Sequence, residues 1–206
     1  MAYASRTGTR RNLDAMAAAG WRLLVEPSQL GRYADPIPPL PYAVDNGAWG
    51  CYQSGVSWDE SAFLRLLGLV GHGCDWVVAP DIVAGGLESL RRSAEWLPRL
   101  EKYGQLRLVA VQDGMVAADL RDMLGPTVGI FVGGSTPWKL ATLPEWGDLA
   151  RDVGCYLHVA RVNSAKRIRY CHHVGADSFD GTSVTRYAVT LPRLDDARRQ
   201  GTIPWG

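Results

Sequence analysis

Two acidic residues stand where apolar runs end, one in Tyr42-Ala43-Val44-Asp45-Asn46-Gly47 and one in Phe179-Asp180-Gly181-Thr182-Ser183-Val184-Thr185-Arg186. A strand that finishes in a carboxylate and a polar turn carries that carboxylate to the rim of a sheet or barrel. Two carboxylates on separate strand ends are the minimum needed to cleave and remake a glycosidic bond, one acting at the anomeric carbon and the other moving the proton. Three more runs end in polar groups: Pro80-Asp81, Gln112-Asp113-Gly114 and Gly133-Gly134-Ser135. Carboxylates accept from ring N–H and amino groups, and glycine amides donate to a carbonyl, so the set suits a polar planar heterocycle. Each end also has a local reading. Asp45 before Asn-Gly and Asp113 before Gly form turns, Asp81 caps a helix, Asp180 is a turn or cap, and a glycine pair relieves crowding. Five such ends in one chain weaken the purely local reading.

The elements that must position these groups follow from the hydrophobic pattern. Apolar runs at 2–4, 21–25, 42–44, 75–79, 106–111, 128–132, 155–162 and 176–179 are candidate strands. Most are continuous rather than alternating, as expected of parallel strands covered on both faces. Helical segments separate most of them. Thr9 is expected to cap a helix that ends at Gly20. Ser57 and Glu60 form a capping-box pattern, and apolar residues keep helical spacing from Leu87 to Leu100. Residues 115–124 read as a helix stopped by Gly125-Pro126. Thr136-Pro137 reads as N-cap and first helical residue, and Asn163 as the cap of a helix reaching His173. Residues 27–41 hold five prolines and form a long loop. Eight strand–helix units predict a small (β/α)8 TIM barrel, an α/β fold spanning 1–206 as a single domain, in which residues just past each strand face the active site. The rival is an open doubly wound sheet, which the lack of a GxGxxG or P-loop motif weakens.

Composition narrows the classes. The 206 residues suffice for one sizeable core, and 47% hydrophobic with 21% charged content excludes a disordered chain. A net charge of +1 argues neither for nor against a polyanionic partner. Basic residues do cluster, at Arg6, Arg10 and Arg11 and again from Arg161 onward, either to hold phosphates or as solvated helix faces. The four cysteines form no CxxC pair, and no apolar run reaches membrane length, so a reduced, cytoplasmic setting without a membrane partner is expected. Cys171-His172-His173 and His72-x-Cys74 lack zinc-ligand spacing, so no metal is expected.

On its strand-end motifs the chain resembles the tRNA-guanine transglycosylase superfamily, which exchanges guanine for a 7-deazaguanine in nucleic acid on a (β/α)8 barrel. Phe179-Asp180 to Thr185-Arg186 matches the spacing of that family's Phe-Asp-x-x-x-x-Thr-Arg segment. Asp45-Asn46-Gly47-Ala48 is similar to its Asp-Ser-Gly-Gly segment, Val111-Gln112-Asp113-Gly114 to its Val-Gln-Gly-Gly segment, and Val132-Gly133-Gly134-Ser135 to its Gly-Gly segment. The order agrees over residues 42–187. Asn46, Ala48-Trp49 and Gly181-Thr182 depart from the family pattern. No cysteine follows Asp180, so the zinc subdomain of the tRNA enzymes is not expected. The likeness is therefore nearest to the minimal zinc-less relatives in phage and bacterial DNA modification.

The resemblance implies roles. Asp180 would be the nucleophile and Asp45 the second catalytic acid. Asp81 would pair with the amino edge of the base, Gln112, Gly133 and Gly134 would take its carbonyl side, and Arg186 would hold a phosphate. DNA (or tRNA) and a free 7-deazaguanine base such as preQ0 would be the substrates, with no cofactor, and with a homodimer or partner subunit compatible with the family. Activity on tRNA with a partner subunit, a noncatalytic nucleic-acid-binding subunit, and a nucleosidase that lets water finish the reaction are the alternatives.

Overall fold

The computed structural model describes residues 1–32, 35, 37–103, 106–186 and 188–200, the side chains of residues 186 and 188 excepted. Eight parallel strands close a barrel in chain order: β1 (Ala2–Ser5), β2 (Arg22–Val25), β3 (Tyr42–Val44), β4 (Val77–Val78), β5 (Arg107–Val111), β6 (Val128–Val132), β7 (Leu157–Val159) and β8 (Ser178–Gly181). Tyr3 lies opposite Arg22 on one side and Asp180 on the other, so β1 joins β2 to β8 and no sheet edge remains. This is the small (β/α)8 barrel expected from the pattern.

Helices surround it: α1 (Arg10–Ala19), α2 (Ala48–Ser54), α3 (Glu60–Val70), α4 (Leu87–Leu100), α5 (Thr136–Val153), α6 (Ala165–His173), α7 (Ser183–Arg186) and α8 (Leu191–Arg199). Side chains alternate across each strand. One set points at the barrel axis, where Tyr3, Leu24, Ala43, Trp76, Val78, Leu108 and Ala110 pack with Phe131 and Tyr156. The other set, including Ala2, Leu23, Val25, Val44, Val109 and Val111, packs against the helices. Both sets are apolar, which is why the strands read as continuous runs.

Several local expectations are corrected. Residues 115–124 form two 3-10 turns, Ala117–Asp119 and Arg121–Met123, rather than a helix. Met115 and Leu120 are buried all the same, and the Asp119 carboxylate accepts from the Val116 amide to close the first turn. Asp59, not Ser57, caps α3, its carboxylate accepting from the Ala62 amide at 3.0 Å. Ser135 displaces Thr136 as the cap of α5, and Ser164 displaces Asn163 as the cap of α6. Helix α2, directly after β3, was not foreseen. After β2 the chain takes only a 3-10 turn, Pro27–Gln29, before the described part of the proline-rich loop.

At the N-terminal end of the barrel Asp75 bridges Arg22 at 2.5 Å and accepts from the Tyr3 hydroxyl at 3.0 Å. That face of such a barrel serves stability rather than chemistry. Among the described residues no helix is long and apolar enough to cross a membrane.

Candidate active site

The C-terminal ends of the strands bring the sequence candidates to one mouth. Asp180 belongs to β8 itself rather than to the loop beyond it, at an inward-facing position next above Ser178. It is 7% exposed. Its Oδ2 lies 3.0 Å from His158 Nε2, and its Oδ1 accepts from the Arg161 backbone amide at 3.2 Å. The main chain is fixed as well, since the Val162 amide donates to the Asp180 carbonyl at 2.6 Å. Asn163 Oδ1 accepts from the Thr182 and Ser183 amides and from the Ser183 hydroxyl, which ties the turn after Asp180 to the end of β7. Gly181 permits this close approach, because a Cβ there would fall 2.6 Å from the Val162 carbonyl.

Asp45 follows β3. Its Oδ1 accepts from the Gly47 amide at 2.9 Å, the Asx turn expected of Asp-Asn-Gly. Burial, then the Glu26 carboxylate, then Asp180 and Asp81, push its carboxyl up to about 7, against the hydrogen bond from Gly47. Glu26, at the end of β2, was not singled out from the sequence. Asn46 turns inward and donates to Asp81 Oδ1 and to the Ala79 carbonyl, both at 2.8 Å. Burial raises the Asp81 carboxyl too, opposed by that bond and by Arg92.

The rest of the set is more constrained. Gln112 donates to the Ile82 carbonyl at 2.8 Å and accepts from the Ala84 amide at 2.6 Å. Both ends of its amide therefore hold the loop after β4, where Ala84 adopts φ +60°. The Gly133 amide donates to the Val111 carbonyl within the barrel ladder at 2.9 Å. For Gln112 or Gly133 to meet a base, these bonds would have to exchange. Asp113 is exposed and accepts from the Ser135 amide and hydroxyl, both at 2.6 Å. Burial works against ionisation there, but these two bonds hold its carboxyl below the usual range. Arg186 ends α7, and its side chain lies outside the described residues.

Arg161 is the main side chain at the mouth that sequence reasoning did not single out. It adopts φ +58°, donates to the Gly134 carbonyl, and places its guanidinium 4.1 Å from the Trp49 ring centroid. Trp49 and Tyr52, 40% and 58% exposed, stack with centroids 5.9 Å apart. The mouth thus carries a half-exposed aromatic shelf and a cation beside its carboxylates. A positive φ on a non-glycine residue at a strand end marks strain of the kind found at functional sites, and no pattern in the sequence announces it. His158 was also missed. Its inward position follows from the period-two spacing Tyr156-His158, which a reading of 155–162 as one uniform apolar run conceals.

Gly134 shows how tightly the rim is built. At φ +65° it sits where a Cβ would lie 2.5 Å from the Trp138 ring and 2.7 Å from Asp113 Oδ2. Gly134→Ala is expected to destabilise the fold by about 1–3 kcal/mol through backbone strain and displacement of Trp138. A thermal melt superimposable on wild type would refute this.

No family model matches the chain, and no curated protein matches it. Among solved structures, 3-hexulose-6-phosphate synthase from Salmonella typhimurium is similar at TM-score 0.53 and 12% identity, over 97% of this chain and 98% of that one. Tryptophan synthase from M. tuberculosis is similar at TM-score 0.43 and 17% identity, over 93% and 66% of the two chains. At 12% identity the first likeness is one of fold, the (β/α)8 barrel.

Proposed function

We propose that the chain is an enzyme that exchanges guanine in DNA for a 7-deazaguanine base, by way of a covalent glycosyl-enzyme on Asp180. The observation that carries this reading is the pair of carboxylates at one barrel mouth. Asp180 is held at Oδ1 by the Arg161 amide and at Oδ2 by the His158 ring, and Asp45 is near enough to feel its charge and keeps its proton to about pH 7. Two carboxyl groups with different environments are what an acid and a nucleophile need to coexist at neutral pH.

The steps balance without a further reactant. The target nucleoside leaves the stack to reach the mouth. Asp180 attacks C1′ while the bond from C1′ to the guanine nitrogen breaks, and Asp45 gives its proton to the departing base. The incoming 7-deazaguanine returns a proton to Asp45 and attacks C1′, displacing the Asp180 carboxylate. Two inversions retain the anomeric configuration. Asp81, oriented by Asn46, faces the amino edge of the base, and the Gly134 amide is the backbone donor for its carbonyl. The Trp49–Tyr52 shelf suits stacking by neighbouring bases, which tolerates any sequence. The resemblance of the strand-end motifs to those of the transglycosylase superfamily supports the same chemistry.

Incubation with DNA, and separately with tRNA, plus labelled guanine or preQ0 tests the proposal. Label entering DNA alone is the expected result. Label in tRNA alone would move the substrate to RNA, and label in neither would overturn the proposed activity.

A further inference from the structure

His158 sits on β7 one alternation below the rim, with no solvent exposure. Its ring stacks on Phe131 of β6, with centroids 4.9 Å apart and planes at 17°. It also meets Trp76, just before β4, at 4.6 Å and Tyr3 of β1 at 5.9 Å. These rings close its faces and leave two polar contacts, both to β8. Nδ1 lies 2.7 Å from Ser178 Oγ, and Nε2 lies 3.0 Å from Asp180 Oδ2. Ser178, His158 and Asp180 therefore form a chain of hydrogen bonds that rises from the barrel interior to the mouth.

We propose that His158 is a positioning residue for Asp180: as a neutral imidazole protonated on Nε2 it donates to Oδ2, while Nδ1 accepts the Ser178 hydroxyl proton. The role assigned to Asp180 rests on the proposed transglycosylase reading; the protonation of the ring does not. The alternatives are physically worse. With the proton on Nδ1, the Nε2 lone pair would oppose a carboxylate oxygen at hydrogen-bond distance, two acceptors facing each other. An imidazolium would be a charge enclosed by aromatic rings. Burial lowers the proton affinity of His158, Asp180 opposes that effect, and Lys139 on α5 and the terminal amine of Met1 add to it. The Ser178 hydroxyl, able to donate or to accept, rotates to donate to Nδ1, so the acceptor-only carboxylate at Nε2 sets the tautomer.

The consequence is directional. A ring N–H clamps Oδ2, while Oδ1 receives the longer bond from the Arg161 amide and keeps a lone pair for the mouth. A neutral donor orients the carboxylate without cancelling its charge, which an imidazolium would do at the expense of nucleophilicity.

The test has two arms. The first is a long-range 1H–15N spectrum of the imidazoles of the intact protein, with His158 assigned among the four histidines by the loss of its signals in His158→Gln. His158 is expected to keep the neutral Nε2–H tautomer from about pH 5.5 to 8, the interval over which an ordinary histidine titrates. An Nδ1–H tautomer, or an imidazolium forming in that interval, would overturn the proposal. The second arm measures adduct formation with DNA. His158→Leu is expected to slow it on the order of 100-fold with little change in KM, because an orienting group rather than a binding group is lost. His158→Gln, which keeps an N–H donor, is expected to recover most of the rate. Equal losses in both variants, each still folded by thermal melt, would overturn the positioning role. If wild type forms no adduct, the transglycosylase reading fails, and the spectrum still decides which nitrogen faces Asp180.

Discussion

Asp180→Asn is expected to eliminate the covalent glycosyl-enzyme and to slow base exchange by about 10⁴-fold or more, the order of loss when a covalent catalyst's central group is removed. Attack at C1′ needs an anionic oxygen, and a carboxamide has none. The substitution is close to isosteric, so the fold should survive it. The Asn side-chain oxygen can take the place of Oδ2 opposite His158 Nε2, now 3.0 Å away. Its NH2 group would then face the Arg161 amide across the present 3.2 Å contact, donor against donor, at a cost of about 1–3 kcal/mol. The variant should therefore melt several degrees lower and remain folded. Mass spectrometry of the denatured protein after mixing with DNA, without an acceptor base, reads the adduct directly. An adduct of undiminished yield on Asp180→Asn would remove Asp180 as nucleophile.

The sequence made Asp180 visible because a barrel strand ends in a recognisable way: apolar residues, then an acid, then a glycine that lets a neighbouring loop close over it. The same logic exposed Asp45, Asp81, Gln112 and the Gly133-Gly134 pair, and it made the eight strands legible as buried runs. What stayed hidden depends on contacts between distant segments. Gln112 reads as a free carboxamide, yet the loop after β4 captures both of its ends. Glu26 precedes a proline-rich loop and looks like a surface acid until β2 and β3 lie side by side and bring it to Asp45. Arg161 looks like one of many basic residues of the C-terminal quarter until its backbone takes φ +58° and its side chain spans from Gly134 to Trp49. Capping was misread by one or two residues at α3, α5 and α6 because each start offers neighbouring polar residues, and only the closed barrel decides which of them is needed elsewhere. Asn163 illustrates this, since the turn after Asp180 claims its side-chain oxygen.

The rate of adduct formation is expected to fall above about pH 7. The sign follows from the role of Asp45. Burial and the Glu26, Asp180 and Asp81 carboxylates raise its carboxyl from 3.8 to about 7. In the proposed first half-reaction that carboxyl gives a proton to the leaving guanine, so only the protonated form would be competent, and its fraction falls about tenfold per pH unit above the midpoint. Glu26→Gln removes one of the neighbouring charges, so the fall should move to lower pH. The same shift has a stability consequence. A carboxyl that binds its proton more tightly folded than unfolded lowers stability as pH rises between the unfolded and folded values, here from about 4 to about 7, and the deficit persists above that. Asp45→Asn keeps the acceptor for the Gly47 amide and removes the charge. At pH 8 the variant should be more stable than wild type by about 1–3 kcal/mol, a value reduced to allow for the partial exposure of Asp45. At pH 4 the two should melt together. Exchange should be strongly impaired in the same variant, because neither half-reaction then has a group to move the proton. Stability gained where activity is lost is what a charge kept for chemistry predicts. A wild-type rate that is flat from pH 6 to 9, or an Asp45→Asn variant that melts below wild type at pH 8, would show that Asp45 is a turn former and no more.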